Sequence, residues 1–221
     1  EKVAGNSAAW EYCKPIREEI LQVLNPENVV TRNAYGAEIL NSVSMFFVDV
    51  DFIIPPKISW WGRLRGKVRQ TNPDYTLEII KSGLIDQTLR EYPVRLYRTH
   101  GGYRLIVQNC AWRPASTQCR QIMELLGSDY KYAWFCRMQN CFRARLTPKP
   151  GRINQPVRRC EWPESDAESD ARRSWVSAYE QKSSRFAVCC YLETLNGIEQ
   201  SDEMIQWHDR KTKAFSALPL A

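Results

Sequence analysis

The sequence predicts an α+β domain with an RRM-like or ferredoxin-like antiparallel sheet core, flanking helices and a polar late insertion, and three observations carry that prediction. First, Asn41 to Ile54 (NSVSMFFVDVDFII) has strand alternation, with Phe46, Val48, Val50, Phe52 and Ile54 on one face. Second, Val94 to Thr99 and Tyr103 to Asn109 flank Gly101-Gly102 and read as a tight hairpin, whose glycines are expected to supply positive φ angles. Third, segments with helical spacing lie between the strand and the hairpin and again after it. The resulting order of strand, helix, hairpin, helix, strand is that of a split βαβ sheet.

Taken in chain order, Ala8 to Leu24 has helical spacing in Trp10, Ile16, Ile20, Leu21 and Leu24. Tyr35 leads into the strand that Pro55-Pro56 ends, because proline cannot donate to a ladder. Lys57 to Pro73 is a basic, tryptophan-bearing connection, and Asp74 to Tyr92 is expected to be helical through Leu77, Ile80, Leu84 and Leu89. Ser116 caps a helix ending near Gly127, with Cys119, Ile122, Met123 and Leu126 as its inner stripe. Tyr130 to Leu146 reads as one or two strands, closed by Thr147-Pro148-Lys149-Pro150-Gly151. A polar insertion at about 152–184 contains a helix from Glu164 to Lys182, Phe186 to Leu195 forms a last strand, and Ser201 to Ala221 holds a short helix and an apolar end. All of 1–221 reads as a single domain, with its core at about 40–150 plus the strand at 185–195.

Composition is that of a globular protein, with 43% hydrophobic and 25% charged residues. No window approaches the roughly 18 uninterrupted apolar residues of a membrane span, and Glu1 to Pro15 has no signal-like apolar core, so the expectation is a cytoplasmic protein without membrane partners. Eight cysteines show no disulfide framework and no paired CxxC, so buried thiols are expected rather than structural zinc. The net charge of +6 suits a polyanionic partner if the basic residues cluster.

Asp49 and Asp51 share the second face of the first strand, roughly 6 to 7 Å apart, which is costly unless something offsets the charge. A divalent cation would do so, and so would arginine partners or exposure to solvent. Around the hairpin turn, Arg98, Thr99, His100 and Arg104 with backbone N–H groups read as a phosphate cradle or as a structural turn with solvated charges. In Cys136 to Lys149 the alternation turns Phe142, Ala144 and Leu146 inward and puts Arg143 and Arg145 together, near the acids, on a phosphate with Lys149, or on a solvated face. Trp60, Trp61, Arg63 and Arg65 interleave aromatic and positive groups in the way that holds single-stranded nucleic acid, or else the tryptophans anchor their segment to the core. His208-Asp209 is a candidate for an oriented base or ligand.

On these residues the chain resembles the archaeo-eukaryotic primase superfamily of primase-polymerases, over roughly residues 40 to 150. The family's hhhDhDh motif is matched by Phe46 to Phe52, and its SGGxHxhh motif by Thr99 to Val107. The resemblance implies that Asp49 and Asp51 are catalytic and bind two Mg²⁺ or Mn²⁺ ions on an incoming nucleoside triphosphate, with single-stranded nucleic acid as the other partner. Arg104 stands where the family has histidine. The family's third acid falls at Phe135-Cys136-Arg137, where this chain has none, leaving Asp129 or Glu193 as substitutes. The expected function is therefore a primase-polymerase-like nucleotidyltransferase, with a metal-dependent nuclease or phosphohydrolase, or a non-catalytic nucleic-acid-binding module, as alternatives.

Overall fold

Alternating apolar runs become strands here, and helices pack against them. The computed structural model describes residues 16–54, 71–84, 89–159, 162–163, 166–198 and 201–221. The expected contacts of Trp60, Trp61, Arg63 and Arg65, the Pro55-Pro56 stop and the start of the first expected helix lie outside these residues.

The described chain is α+β, with two antiparallel four-stranded sheets and five α-helices. The first sheet has the order β1 (Glu19–Asn25), β2 (Asn28–Arg32), β3 (Glu38–Ser42), β7 (Phe142–Arg145). The second has the order β4 (Phe46–Asp51), β6 (Gly102–Val107), β5 (Val94–Thr99), β8 (Cys189–Leu195). Within it, β6 lies between β4 and β5 and is antiparallel to both, with α1 (Pro73–Leu84) in the connection from β4 to β5. Strand, helix and hairpin thus follow in the expected order, whereas β7, the strand after the second expected helix, pairs in the first sheet. The last strand, β8, adds beside β5.

One apolar cluster runs through both sheets, from Val30 and Leu40 through Phe46, Val48 and Leu105 to Phe142 and Ala144. Helix α2 (Thr117–Leu125) joins it through Cys119, Ile122 and Met123, and Ser116 accepts from Cys119 N at 3.2 Å as its cap. The turn after α2 fastens to β4, since Ser128 Oγ donates to the Asp49 carbonyl at 2.9 Å. On the opposite face of the second sheet lie Phe47, Arg104, Tyr97 and Arg95, beneath α5 (Glu203–Thr212). Helix α4 (Asp166–Ser183) is tied to the first sheet by Arg32 to Glu180 at 3.0 Å and by Arg172 to Glu19. No helix among the described residues is long and apolar enough to cross a membrane.

Four expectations change. Residues 19–25, read as helical, form strand β1; irregularities in its pairing put Leu21 and Leu24, three residues apart, against the core, so a bulged strand imitates helical spacing. Tyr130–Gln139, read as strand, is helix α3, capped by Asp129 and ended by Asn140 at φ +47°. The helix after β4 is described as far as Leu84, and Leu89–Tyr92, expected to be helical, is a turn, with Tyr92 N donating to the Leu89 carbonyl at 3.0 Å. Neither Gly101 nor Gly102 has a positive φ. Gly102 is needed instead for close approach, because a Cβ there would overlap the Val50 carbonyl oxygen where Gly102 pairs with Asp51.

Candidate phosphate-binding cleft

The cleft opens where β4 emerges from the core. Exposure along this strand rises from zero at Phe46, Phe47 and Val48 to an exposed Asp51, so its two acids stand at the margin rather than in the interior. Antiparallel register sets Asp49 directly opposite Arg104 of β6. Arg104 grips it with both arms: Nε donates to Oδ1 at 2.8 Å and Nη2 to Oδ2 at 3.0 Å. The guanidinium is only 2% exposed, whereas the carboxylate is 31% exposed. Burial alone would lower the Arg104 pKa, but Asp49 outweighs it and the net shift is upward.

Behind that pair runs a buried polar chain. Arg104 Nη1 donates to the Arg145 carbonyl at 2.9 Å and lies 3.4 Å from His208 Nε2. Arginine has only donors, so His208 Nε2 accepts and Nδ1 carries the proton, directed at Asp209 Oδ1 3.1 Å away. Burial lowers the His208 pKa, and Arg104 adds to that effect against the opposing pull of Asp209. Arg95 Nη2 donates to Asp209 Oδ2 at 2.6 Å, and Tyr97 Oη donates to Oδ1 at 2.8 Å. His208-Asp209 thus serves as a buried brace for Arg104.

The other wall comes from β7 and the loop after it. Arg145 lines the cleft with Lys149 and Arg152 from the 3-10 turn Pro150–Ile153 and its lead-in. Sequence and packing hold this loop firmly: Tyr179 of α4 donates to the Pro148 carbonyl at 2.6 Å, and Thr147 Oγ1 accepts from Glu38 N at 2.8 Å. Arg152 reaches the hairpin turn, where a Cβ on Gly101 would lie 3.3 Å from its Nη2. Among the described residues, no carboxylate lies within 4.0 Å of the charged nitrogens of Arg145, Lys149 or Arg152. Burial pushes the Arg145 pKa down to about 10, with Arg104 and Arg152 adding to the effect and Asp49 opposing it. Lys149 and Arg152 are also lowered, chiefly by burial, and Arg145 and Arg152 both depress Lys149. An anion in the cleft would oppose all three downward shifts.

Of the residues the sequence singled out, the structure brings Asp49, Asp51, Thr99, Arg104, Arg145 and Lys149 to this cleft. Arg143 turns elsewhere, with Nη2 at 2.7 and 2.8 Å from the carboxylate oxygens of Glu18. His100 is exposed, its Nδ1 3.1 Å from the Leu220 carbonyl. Asp129 is spent as the α3 cap, accepting from Lys131 N at 3.3 Å, and Glu193 of β8 pairs with Lys81 at 3.5 Å. Arg152 is the addition that the sequence reading missed, and Thr147-Pro148-Lys149-Pro150-Gly151-Arg152 was its available signal: a stiff, basic loop directly after Arg145.

These residues do not fit a two-metal centre. Both Asp49 oxygens already accept from Arg104, Asp51 stands exposed, and the described residues contain no group of three His, Cys, Asp or Glu side chains able to hold an ion. What the arrangement offers is an anion site with four cationic side chains against two side-chain carboxylates, with Ala221 also in its lining. It encloses only about 50 Å³, well below the roughly 300 Å³ at which pockets begin to swallow whole small molecules. A phosphate group fits such a space better than a complete nucleotide does. The chain matches no family model, no curated protein and no solved structure, so the chemistry of these side chains carries the functional reading.

Proposed function

We propose that the protein binds single-stranded nucleic acid through its phosphates, on a primase-like scaffold, with Arg145, Lys149 and Arg152 as the grip. The observation that carries this reading is the excess of positive charge around a carboxylate already matched by Arg104. A small cleft that admits a phosphate and leaves sugar and base outside suits a strand laid across it. The test is fluorescence anisotropy with a labelled single-stranded oligonucleotide over a range of salt concentrations. A charge-assisted hydrogen bond contributes about 1.5 to 3 kcal/mol, so Arg145→Gln should weaken binding by about tenfold to a hundredfold. It should also reduce the salt slope by about 0.7 for the lost phosphate contact. Arg143→Gln, whose wild-type side chain is occupied by Glu18, should leave both nearly unchanged. Equal losses for the two variants would reject the cleft as the binding site.

A nucleotidyl-transfer reading draws on one observation, that Asp49 and Asp51 share a strand face and both line the cleft. It requires Asp49 to leave Arg104. Oligonucleotide synthesis with Mn²⁺, template and nucleoside triphosphates that Asp51→Ala stops would favour it, and cleavage without synthesis would favour a nuclease.

A further inference from the structure

We infer that Arg104 is a built-in cation at the Asp49 carboxylate, and that phosphate binding in this cleft is therefore independent of divalent metal. The inference rests on the phosphate-binding reading above and adds to it the state in which the ligand is taken: as the bare phosphate rather than its magnesium complex.

Position is the first argument. A divalent ion at Asp49 would coordinate the two oxygens that Arg104 now engages at 2.8 and 3.0 Å. The two occupants exclude each other, since bringing an ion to that carboxylate sets it against a fixed positive charge in partly desolvated surroundings.

Immobility is the second. A surface arginine could swing aside to admit the ion, but Arg104 is held on three sides by Asp49, by the Arg145 carbonyl at 2.9 Å and by His208 Nε2 at 3.4 Å. His208 is in turn fixed through Asp209, which Arg95 and Tyr97 hold. Rotating the guanidinium out would leave the Arg145 carbonyl, the His208 Nε2 nitrogen and the Asp49 carboxylate without their partner, a larger loss than one exposed ion pair can offset.

Arg104 also keeps a donor available for a ligand. A guanidinium has five N–H groups, and four are used in the contacts just given. One N–H on Nη2 is left, on a residue that lines the cleft beside Arg145, Lys149 and Arg152. Arg104 can thus neutralise Asp49 and donate to a phosphate oxygen at once, which is the dual task a bridging metal performs elsewhere.

Two measurements test this on the full chain. Wild-type protein should bind a labelled single-stranded oligonucleotide with the same affinity in EDTA and in magnesium chloride at matched ionic strength. Binding at least about tenfold weaker in EDTA would overturn the inference while leaving the phosphate-binding reading intact. Independently of any nucleic acid, Mn²⁺ titration followed by electron paramagnetic resonance should detect no ion on wild-type protein that Asp49→Asn removes. An ion so removed would overturn the inference even if no oligonucleotide bound, and oligonucleotide failing to bind in both buffers would instead defeat the phosphate-binding reading. Arg104→Ala should gain a Mn²⁺ site that Asp51→Asn weakens. Should that variant fail to fold, the wild-type and Asp49→Asn comparison still decides.

Discussion

Replacing Asp49 by alanine separates two kinds of acidic site, because they predict opposite signs. Where like-charged carboxylates wait for a cation, deleting one relieves repulsion and raises the stability of the ion-free protein. Here the deletion strands Arg104, which is 2% exposed. Removing one partner of a buried ion pair costs about 3 to 5 kcal/mol. The lower end applies, because Asp49 itself is 31% exposed and Arg104 keeps the Arg145 carbonyl and His208 as partners. At about 3 kcal/mol, and about 2 to 4 °C per kcal/mol for a chain of this size, Tm should fall by about 6 to 12 °C. Asp49→Asn keeps one acceptor for Arg104 and should fall less. Asp51→Ala removes an exposed side chain without an ion-pair partner among the described residues and should stay within about 0.5 kcal/mol of wild type. Urea unfolding followed by circular dichroism gives the free energies, and thermal melts give Tm. An Asp49→Ala protein as stable as wild type, or more so, would refute the pairing argument.

His208 gives a pH signature. Burial keeps its folded pKa below the ordinary value of about 6.5, so its contribution is complete above that pH and is lost as pH falls and the unfolded chain takes up the proton. The urea midpoint should therefore drop between about pH 7 and pH 5, and His208→Gln should flatten that drop; identical profiles would count against the assignment. Gly102→Ala should cost about 1 to 3 kcal/mol, because the new methyl overlaps the Val50 carbonyl, whereas Gly151→Ala, with nothing within 4 Å, should be close to silent in the same unfolding assay. Ser116→Ala should cost about 1 kcal/mol through loss of the α2 cap, read from the urea midpoint.

Regular periodicity was legible where one face is buried and the turn chemistry agrees. Strands β4, β5 and β6 and helix α2 follow from alternation, a glycine turn and a serine cap. Strand β1 was not legible, because its bulges convert a spacing of two into three. Helix α3 was hidden for the opposite reason: among its residues only Cys136 is fully buried, so YKYAWFCRMQ has no apolar stripe and its aromatics resemble those of a strand. At the site, the residue types were legible but their partners were not. Local spacing put Arg143 and Arg145 on one face, yet Glu18, 125 residues away, takes the first and leaves the second to the cleft. The pairing of Asp49 with Arg104 depends likewise on the register between strands that no short turn connects.

The chain from Asp49 through Arg104, His208 and Asp209 to Arg95 carries two negative charges, two positive charges and one neutral ring. That balance constrains how the protein can change over time. Substituting any one member leaves a buried charge or donor unmatched, so each single step is penalised although the whole set could be exchanged for another balanced set. Neighbours of this kind show coupling energies of about 0.5 to 3 kcal/mol in double-mutant cycles. The five positions should then behave in evolution as one character: divergent relatives would carry all of them or a concerted replacement, and a replacement of Arg104 should come with one at Asp49 or His208.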